Sequence, residues 1–566
     1  MHNKISRNNN VAIISVSTQS GDIEEYLLYL IKKLSIVTTH ICIVSSHIVN
    51  LPCKKFLNGY VEKIIEKIVG NDFIHWKIGI EQYVSNMDTH NLQNITLLND
   101  SIYGPFIPLK KIYEEMNGKS IDFWGITRHQ AMPNTKSFIQ TYFINFNNMQ
   151  ILRELRNFFN NIENCDDVES KLSNYLEDRG YKADVFVKTN DIENHDPQLA
   201  ESYFLFYPYF LIKYRNCPFI SRYMFALDNK IMSLYGSENQ IPLVMDYIKN
   251  LYPCEYIYND LIRQHNVYDL ICRLKLNYII EDNNLKRKKI HRKRVAVFVY
   301  LYYEKDFEIY ISKLRRIPKW MDIYLFTNTE CKAERIYKLS MQNNIKVKVQ
   351  IVDARGREWA VFLNEVSCIA PKYAYGVFLH DKSFHKNEFP TQAYAFRDLL
   401  WDNLIPSVKG VEQIINIFEK EEHVGVLLPP IVKHGSYFKY YMNFWTVNYD
   451  NTIDLANNMG LNTKMISNMI TPISIGGMFW FRVEALQDIF EKYIDRNMFC
   501  CEPMPIDGTL NHSLERIIPY IAQAKGYYSG FVISKTYIRF DWIVQGQMIR
   551  DIGNTLNTIP DFYCNL

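Results

Sequence analysis

Residues 11–45 read VAIISVSTQSGDIEEYLLYLIKKLSIVTTHICIVS, and this stretch decides the fold class. Its apolar, β-branched ends at 11–17 and 39–45 have strand length and composition, whereas 22–34 repeats its apolar positions at helical spacing. Strand, amphipathic helix, strand is a βαβ unit, which predicts an α/β domain on parallel strands. Working outward, a helix is predicted at 75–87 and a buried strand at 95–98. That strand runs into Asn99, Asp100 and Ser101, after which Pro105 and Pro108 turn the chain into a helix at 109–116.

The same order starts again after the basic run KRKKIHRKR at 286–294, with a strand at 295–302, a helix at 307–314 and a strand at 323–327. Landmarks of the two runs are nearly equidistant: Val11 to Val295 is 284 positions, Trp76 to Trp359 is 283 and Asp100 to Asp381 is 281. Duplication of one α/β domain accounts for this. Farther on, SFIQTYFINFNNMQIL from Ser137 resembles SIGGMFWFRVEAL from Ser474, 337 positions away. An insertion of ~55 residues is therefore predicted in the second copy. The expected organisation is an N-terminal domain at 1–190, a mainly helical connecting segment at 191–290, and a C-terminal domain at 291–566 with a helical insertion near 408–470. Within the connector, YFLFYPYFLIKY at 203–214 reads as core helix broken at Pro208, with a dip into a membrane surface as the alternative.

Composition narrows the function. With 48% hydrophobic and 22% charged residues the 566-residue chain is globular, and too long for a single core. A net charge of +3 gives no field of the kind nucleic-acid binders carry, so no nucleic-acid partner is expected. The run at 286–294 is read as a solvated linker, with anionic lipid or RNA binding as the alternative. No apolar run is long enough for a spanning helix, and the amino terminus lacks a signal-peptide core, so a cytoplasmic location is expected. The 11 cysteines show no paired metal-site spacing. Phosphate loop, dinucleotide fingerprint, zinc-protease and serine-hydrolase motifs are all missing.

Four groups stand where ligands collect in α/β sheets, beyond the carboxyl ends of strands. Asp100 follows one strand and His380-Asp381-Lys382 another. An acid at such an exit suits a divalent metal, Mg²⁺ or Mn²⁺, bridging a nucleotide diphosphate, and Lys382 offers a cation for phosphate instead. The bland alternative is that these acids cap turns or helices. The third group is Asp353-Ala-Arg355-Gly-Arg357-Glu358-Trp359, in which two arginines flanking a glycine suit bidentate binding of a diphosphate. The fourth, Glu502-Pro-Met-Pro-Ile-Asp507-Gly-Thr509, puts Asp507 at a helix entrance, where a carboxylate can take a proton from a sugar hydroxyl or cap the helix. Arg355, Asp381 and Asp507 are expected to meet in one cleft.

DARGREWAVFL, FLHDKSFHK, LLWDNLIPS, GGMFWFRVEAL and DGTLNHSLERIIPYIA, with LLNDSIYGPFIPLKKIYEEM, DFWGITRH and SFIQTYFINF in the first copy, together resemble the rhamnan synthesis protein F family of bacterial glycosyltransferases. LIKYRNCPFISR in the middle adds to the likeness. The resemblance implies two tandem GT-A-like domains that handle nucleotide-diphospho-sugars. It also implies a cytosolic location, dTDP-L-rhamnose as donor and a lipid-linked glycan as acceptor, to which the alternative reading of 203–214 adds peripheral contact with the inner membrane surface. Asp353, Arg355 and Arg357 stand in the family's NRGRD-like stretch, where the usual Asn is Asp353 and the final Asp is Glu358. In the first copy Asn71, Asp72 and Trp76 stand in a GYDFGxW-like stretch that has lost its glycines, which implies a degenerate or acceptor-binding first domain. The expected roles are Asp507 as base, Asp381 as metal or ribose contact, and Arg355 with Arg357 on the diphosphate of an inverting transfer.

Overall fold

The computed structural model describes residues 9–17, 21–88, 91–129, 136–161, 168–189, 203–227, 231–232, 235–281, 294–382, 389–433, 443–462, 466–474, 476–492 and 494–556. The basic run at 286–294 lies outside them apart from Arg294. The chain divides into two compact units, Met1–Leu261 and Ile262–Leu566. Each is an α/β body on a mixed sheet.

In the first unit the strands are β1 (Asn10–Val16), β2 (His40–Ser45), β3 (Lys63–Ile65), β4 (Asn94–Asn99), β5 (Phe123–Gly125), β6 (Phe143–Phe146) and β7 (Ala183–Val185). They lie in the order β7-β5-β6-β4-β1-β2-β3, all parallel to their neighbours except β6, which runs antiparallel to both β4 and β5. Every residue of β1 and β4 is buried, as expected of parallel strands covered on both faces. Helix α1 (Glu25–Leu34) is the predicted crossover. Helix α2 (Asp72–Gln82) starts earlier than its predicted position because the Asn71 side chain accepts the Ile74 N–H and caps it there. It buries Trp76 against the sheet, with the indole N–H donating to the Leu98 carbonyl.

The second unit carries β8 (Asn277–Ile280), β9 (Val295–Tyr300), β10 (Asp322–Thr327), β11 (Lys348–Ile351), β12 (Tyr375–His380), β13 (Val424–Leu428), β14 (Phe479–Arg482) and β15 (Tyr528–Ser534). Their order is β8-β15-β13-β14-β12-β9-β10-β11, with β14 the antiparallel strand. Without the edge strand β8 this is the first sheet repeated strand for strand and direction for direction. The core of the second unit is aromatic: Trp359, Phe362, Phe378, Phe479 and Phe481 pack ring against ring.

The extra length of the second copy is split rather than confined to one place. From β4 to β5 the first unit uses residues 100–122, and the second uses 381–423 from β12 to β13. The next connections are 126–142 and 429–478. Helices α5 (Pro390–Leu404) and α6 (Val408–Lys420) fall in the first of these stretches, and α7 (Tyr449–Met459) in the second. Helix α3 (Leu109–Asn117) of the first unit, the short helix α4 (Arg357–Val361) and the long helices α8 (Leu510–Ala524) and α9 (Lys535–Leu556) complete the numbered elements.

The described part of 191–290 is mostly helical and is shared between the units. Ile220–Ser221 pairs antiparallel with Ile102–Tyr103 in the first, while β8 extends the second sheet. YFLFYPYFLIKY forms two helices, Tyr203–Phe206 and Pro208–Arg215, with Phe204, Phe206, Leu211 and Ile212 buried. Among the described residues no helix is long and apolar enough to cross a membrane.

Candidate functional site

A cavity of about 570 Å³ opens at the carboxyl edge of the second sheet. Its walls come from the ends of β9 (Tyr300, Tyr302, Tyr303) and β12 (His380, Asp381, Lys382), the start of α4 (Arg357, Glu358), the loop 502–506, and the first turns of α8 (Asn511, His512, Glu515). Parallel strands with their helices on either side leave a crevice at this edge, so its place follows from the topology.

Asp381 directly follows the last residue of β12. It is 5% exposed, and its Oδ2 accepts the backbone N–H groups of Tyr302, at 2.6 Å, and Tyr303, at 2.5 Å. Burial pushes its carboxyl up to about 7, against the pull of those two amides, and the charges of Glu358 and Asp306 add to the rise. The Oδ1 has no hydrogen-bond partner among the described residues. His380 is buried beneath it, one ring nitrogen facing the Asp381 carbonyl and the other the Gly476 carbonyl, and burial holds it below the usual histidine range.

Arg357 and Arg355, indistinguishable by type, have different surroundings. Gly356 has φ 81° and Arg357 φ 51°, two successive left-handed residues that turn the neighbouring side chains apart. A Cβ at 356 would sit 2.6 Å from both Ala360 Cβ and the Phe499 ring, so glycine is required. Arg357 lines the cavity and forks onto Glu502, with contacts of 2.6 and 2.8 Å. Arg355 instead donates to the Asn497 and Phe499 carbonyls and to the Asn497 side chain, which ties the two loops together. A left-handed non-glycine residue is strained, and such strain concentrates at functional sites. The π turn Phe362–Val366 that follows α4 is another feature enriched there.

The remaining candidates are placed as follows. Lys382 lines the cavity, its ammonium 4.9 Å from the Phe396 ring centroid, and has no ion pair among the described residues. Asp353 accepts the Arg355 N–H in a local turn. Asp507 is not in the cavity wall, since its Oδ1 accepts from the Asn448 side chain at 2.5 Å and from the Gly508 N–H. Burial works against that carboxylate, but these bonds and one from Thr446 prevail and hold it below the usual range, which weakens it as a base. Of the trio expected in one cleft, Asp381 is in this wall, while Arg355 and Asp507 are not.

Several wall residues carried no assignment from the sequence. His512 closes a capping box at the start of α8, its Nδ1 accepting from Thr509. That fixes the proton of the neutral ring on Nε2. Tyr300 Oη and Asn511 Oδ1 are buried with no hydrogen-bond partner among the described residues. Glu515 accepts the Gly476 N–H, and Glu358 has neither hydrogen bond nor ion pair among the described residues. The capping pattern Thr509-x-x-His512 and the acid following Arg-Gly-Arg were the signals available in the sequence.

The matching edge of the first unit is bonded within itself. Asp100 accepts the Ser17 N–H at 2.9 Å, repeating the Asp381 arrangement, and burial pushes its carboxyl up. Asp72 accepts from Ser15 and Asn99, each at 2.6 Å, and His75 lies between Ser15 and the Ile68 carbonyl. Arg222 donates to the Asp100 carbonyl, pairs with Asp260 through two nitrogens at 3.0 and 3.1 Å, and lies over the Tyr26 ring.

The sequence profile of rhamnan synthesis protein F matches residues 41–527. The chain belongs to the rhamnan synthesis protein F family. Over 205 residues, 36% of its length, it is 24% identical to the uncharacterized protein WxcX of Xanthomonas campestris pv. campestris, in each of two strains. The match spans 28% of the length of those curated relatives. Among solved structures it resembles the glycosyltransferase GlyE of Streptococcus pneumoniae TIGR4. The likeness is at 10% identity and a TM-score of 0.25, covering 69% of this chain and 88% of that one. The apo form of GlyE gives 9% and 0.24, covering 66% and 87%.

Among the described residues no cluster of three or more His, Cys, Asp or Glu side chains is arranged to hold a metal. A divalent ion at Asp381 would therefore draw part of its coordination from substrate phosphates, as Mg²⁺ and Mn²⁺ do in phosphoryl sites. The unclaimed Asp381 Oδ1 fits that use.

Proposed function

We propose that this rhamnan synthesis F protein is a glycosyltransferase of GT-A-like architecture whose second unit binds a nucleotide-diphospho-sugar. The donor is dTDP-L-rhamnose, and the acceptor is a lipid-linked surface polysaccharide presented at the inner face of the membrane. The observation that carries the reading is the cavity at the carboxyl edge of the second sheet, which Arg357, Lys382 and His512 line together with Asp381.

In this reading an acceptor hydroxyl attacks the anomeric carbon, the bond from that carbon to the diphosphate oxygen breaks, and the configuration inverts. Arg357, drawn from Glu502, and Lys382 neutralise the departing diphosphate, and His512 Nε2–H donates to it. Such preorganised groups lower the barrier by several kcal/mol. A divalent cation, when bound at Asp381, supplies further Lewis-acid neutralisation. The hydroxyl proton goes to a carboxylate. Glu515, in the wall, is better placed for it than Asp507.

The first unit supports a different use. Its equivalent edge is filled by Arg222 and the Asp72 network, which favours a recognition role for glycan over donor binding. A screen of nucleotide sugars for thermal stabilisation, followed by chromatography for released dTDP, tests the whole. A donor at 100 times its Kd stabilises by about 2.7 kcal/mol. If no nucleotide sugar stabilises the protein or is turned over, the protein is instead a non-catalytic glycan-binding component.

A further inference from the structure

We infer that a second cavity of the second unit, between α5 and the start of α9, is a subsite for the sugar chain of the acceptor, bound as a neutral glycan. This deepens the transferase reading and rests on it.

The cavity holds about 440 Å³, within the range of about 300–1,000 Å³ usual for small-molecule sites. Its charged lining is balanced, Arg316 and Lys535 against Asp398 and Asp402, so it exerts no net pull on a phosphate and suits an uncharged ligand. Asp402 and Arg316 supply polar recognition. Asp402 accepts Lys313 and Arg316 on Oδ1 alone, and Arg316 donates through Nη1 alone, to Asp402 at 2.5 Å and to the Ile405 carbonyl. Asp402 Oδ2 and Arg316 Nη2 thus have no hydrogen-bond partner among the described residues, on side chains that are 41% and 35% exposed. An acceptor and a donor held side by side match two neighbouring hydroxyls of a sugar ring, one donating and the other accepting. Thr536, exposed at the start of α9, adds a third free polar group to the lining. Phe540 is 53% exposed although it lines the cavity, its ring edge-on to Tyr537 with 4.9 Å between centroids. An open aromatic ring of this kind is a platform for the C–H face of a sugar.

Helix α5 joins this cavity to the first one. Its Phe396 lies 4.9 Å from the Lys382 ammonium, whereas Asp398 and Asp402 of the same helix line the second cavity. Ile280 closes the wall from β8, the strand that the second sheet has and the first lacks, so the wall is particular to the second unit.

The test is saturation-transfer difference NMR of a synthetic α-linked L-rhamnose tetrasaccharide on the full chain, with and without dTDP. Wild type and Trp542→Ala, a change at an exposed residue of α9 outside the lining, are expected to bind the glycan alike, and saturating dTDP should not displace it. Thr536→Val/Phe540→Ala, both exposed positions, should bind at least fivefold more weakly. Arg316→Lys, which keeps the charge beside Asp402 but not the second nitrogen, should weaken binding as well. In transfer assays the double variant should raise KM for the tetrasaccharide at least fivefold and leave kcat and donor affinity unchanged. Equal glycan binding by wild type and the double variant overturns the subsite, as does displacement by dTDP, or absence of glycan binding in a wild type that still binds dTDP-L-rhamnose. Glycan binding that the double variant loses, in a protein that neither binds nor turns over a nucleotide sugar, keeps the subsite and overturns the transferase reading. Binding of neither ligand overturns both.

Discussion

Asp381 Oδ2 stands 2.6 Å from the amide nitrogen of Tyr302, so the acid at the end of one strand fastens the chain leaving its parallel neighbour. The same carboxylate that faces the cavity thus shapes its floor. Removing it has a structural cost apart from chemistry. Asp381→Ala should lose about 2–4 kcal/mol in urea unfolding, because two buried amides lose a charged acceptor. Asp381→Asn, whose carbonyl oxygen accepts both, should stay within about 1 kcal/mol of wild type.

Arg355 and Arg357 should separate by assay. Arg357→Ala is expected to weaken dTDP-L-rhamnose binding by about 10- to 100-fold, in line with one charge-assisted contact. Glu502→Gln, which frees the guanidinium, should leave that affinity unchanged or tighter. Arg355→Ala should act on stability instead, by about 1–3 kcal/mol, since its donors hold the carbonyls of Asn497 and Phe499. Calorimetry and thermal unfolding on the three variants check the split.

Arg222→Ala in the first unit strands the Asp260 carboxylate, which is 1% exposed and keeps only the Tyr103 hydroxyl for a partner in this cluster. Loss of one member of a buried pair costs about 3–5 kcal/mol. The Arg222→Ala/Asp260→Asn double variant should recover part of it, and a double-mutant cycle measures how much.

Asp100 sets a pH dependence. Its native carboxyl is raised above the unfolded value of about 4, mainly by burial, so the folded state binds the proton more tightly. Its contribution is complete below about pH 4 and is lost as pH rises through the native value. Stability of wild type relative to Asp100→Asn should therefore fall as pH rises above about 4, as urea midpoints measured over a pH series will show.

What the sequence revealed is tied to local pattern. The β-branched runs at 11–17, 39–45 and 323–327 became strands because parallel strands are buried on both faces, and the acids Asp100 and Asp381 were readable as strand exits. The site was harder. Arg355 and Arg357 differ through backbone angles at Gly356 and Arg357, which composition does not encode. Asp507 met Asn448, which lies in the insertion, and Arg222 met Asp260, which lies 38 positions away. Such pairings depend on tertiary contacts that no periodicity announces.

On the proposed reading, Arg357 and Lys382 receive the diphosphate of a nucleotide sugar. Calorimetric titration of dTDP-L-rhamnose, with Mn²⁺ present, into wild type and a folded Arg357→Ala/Lys382→Ala variant tests it most directly. Saturable 1:1 binding in wild type, weakened at least 100-fold in the variant, is the predicted result. Equal affinity in both, or no binding to wild type, would contradict it.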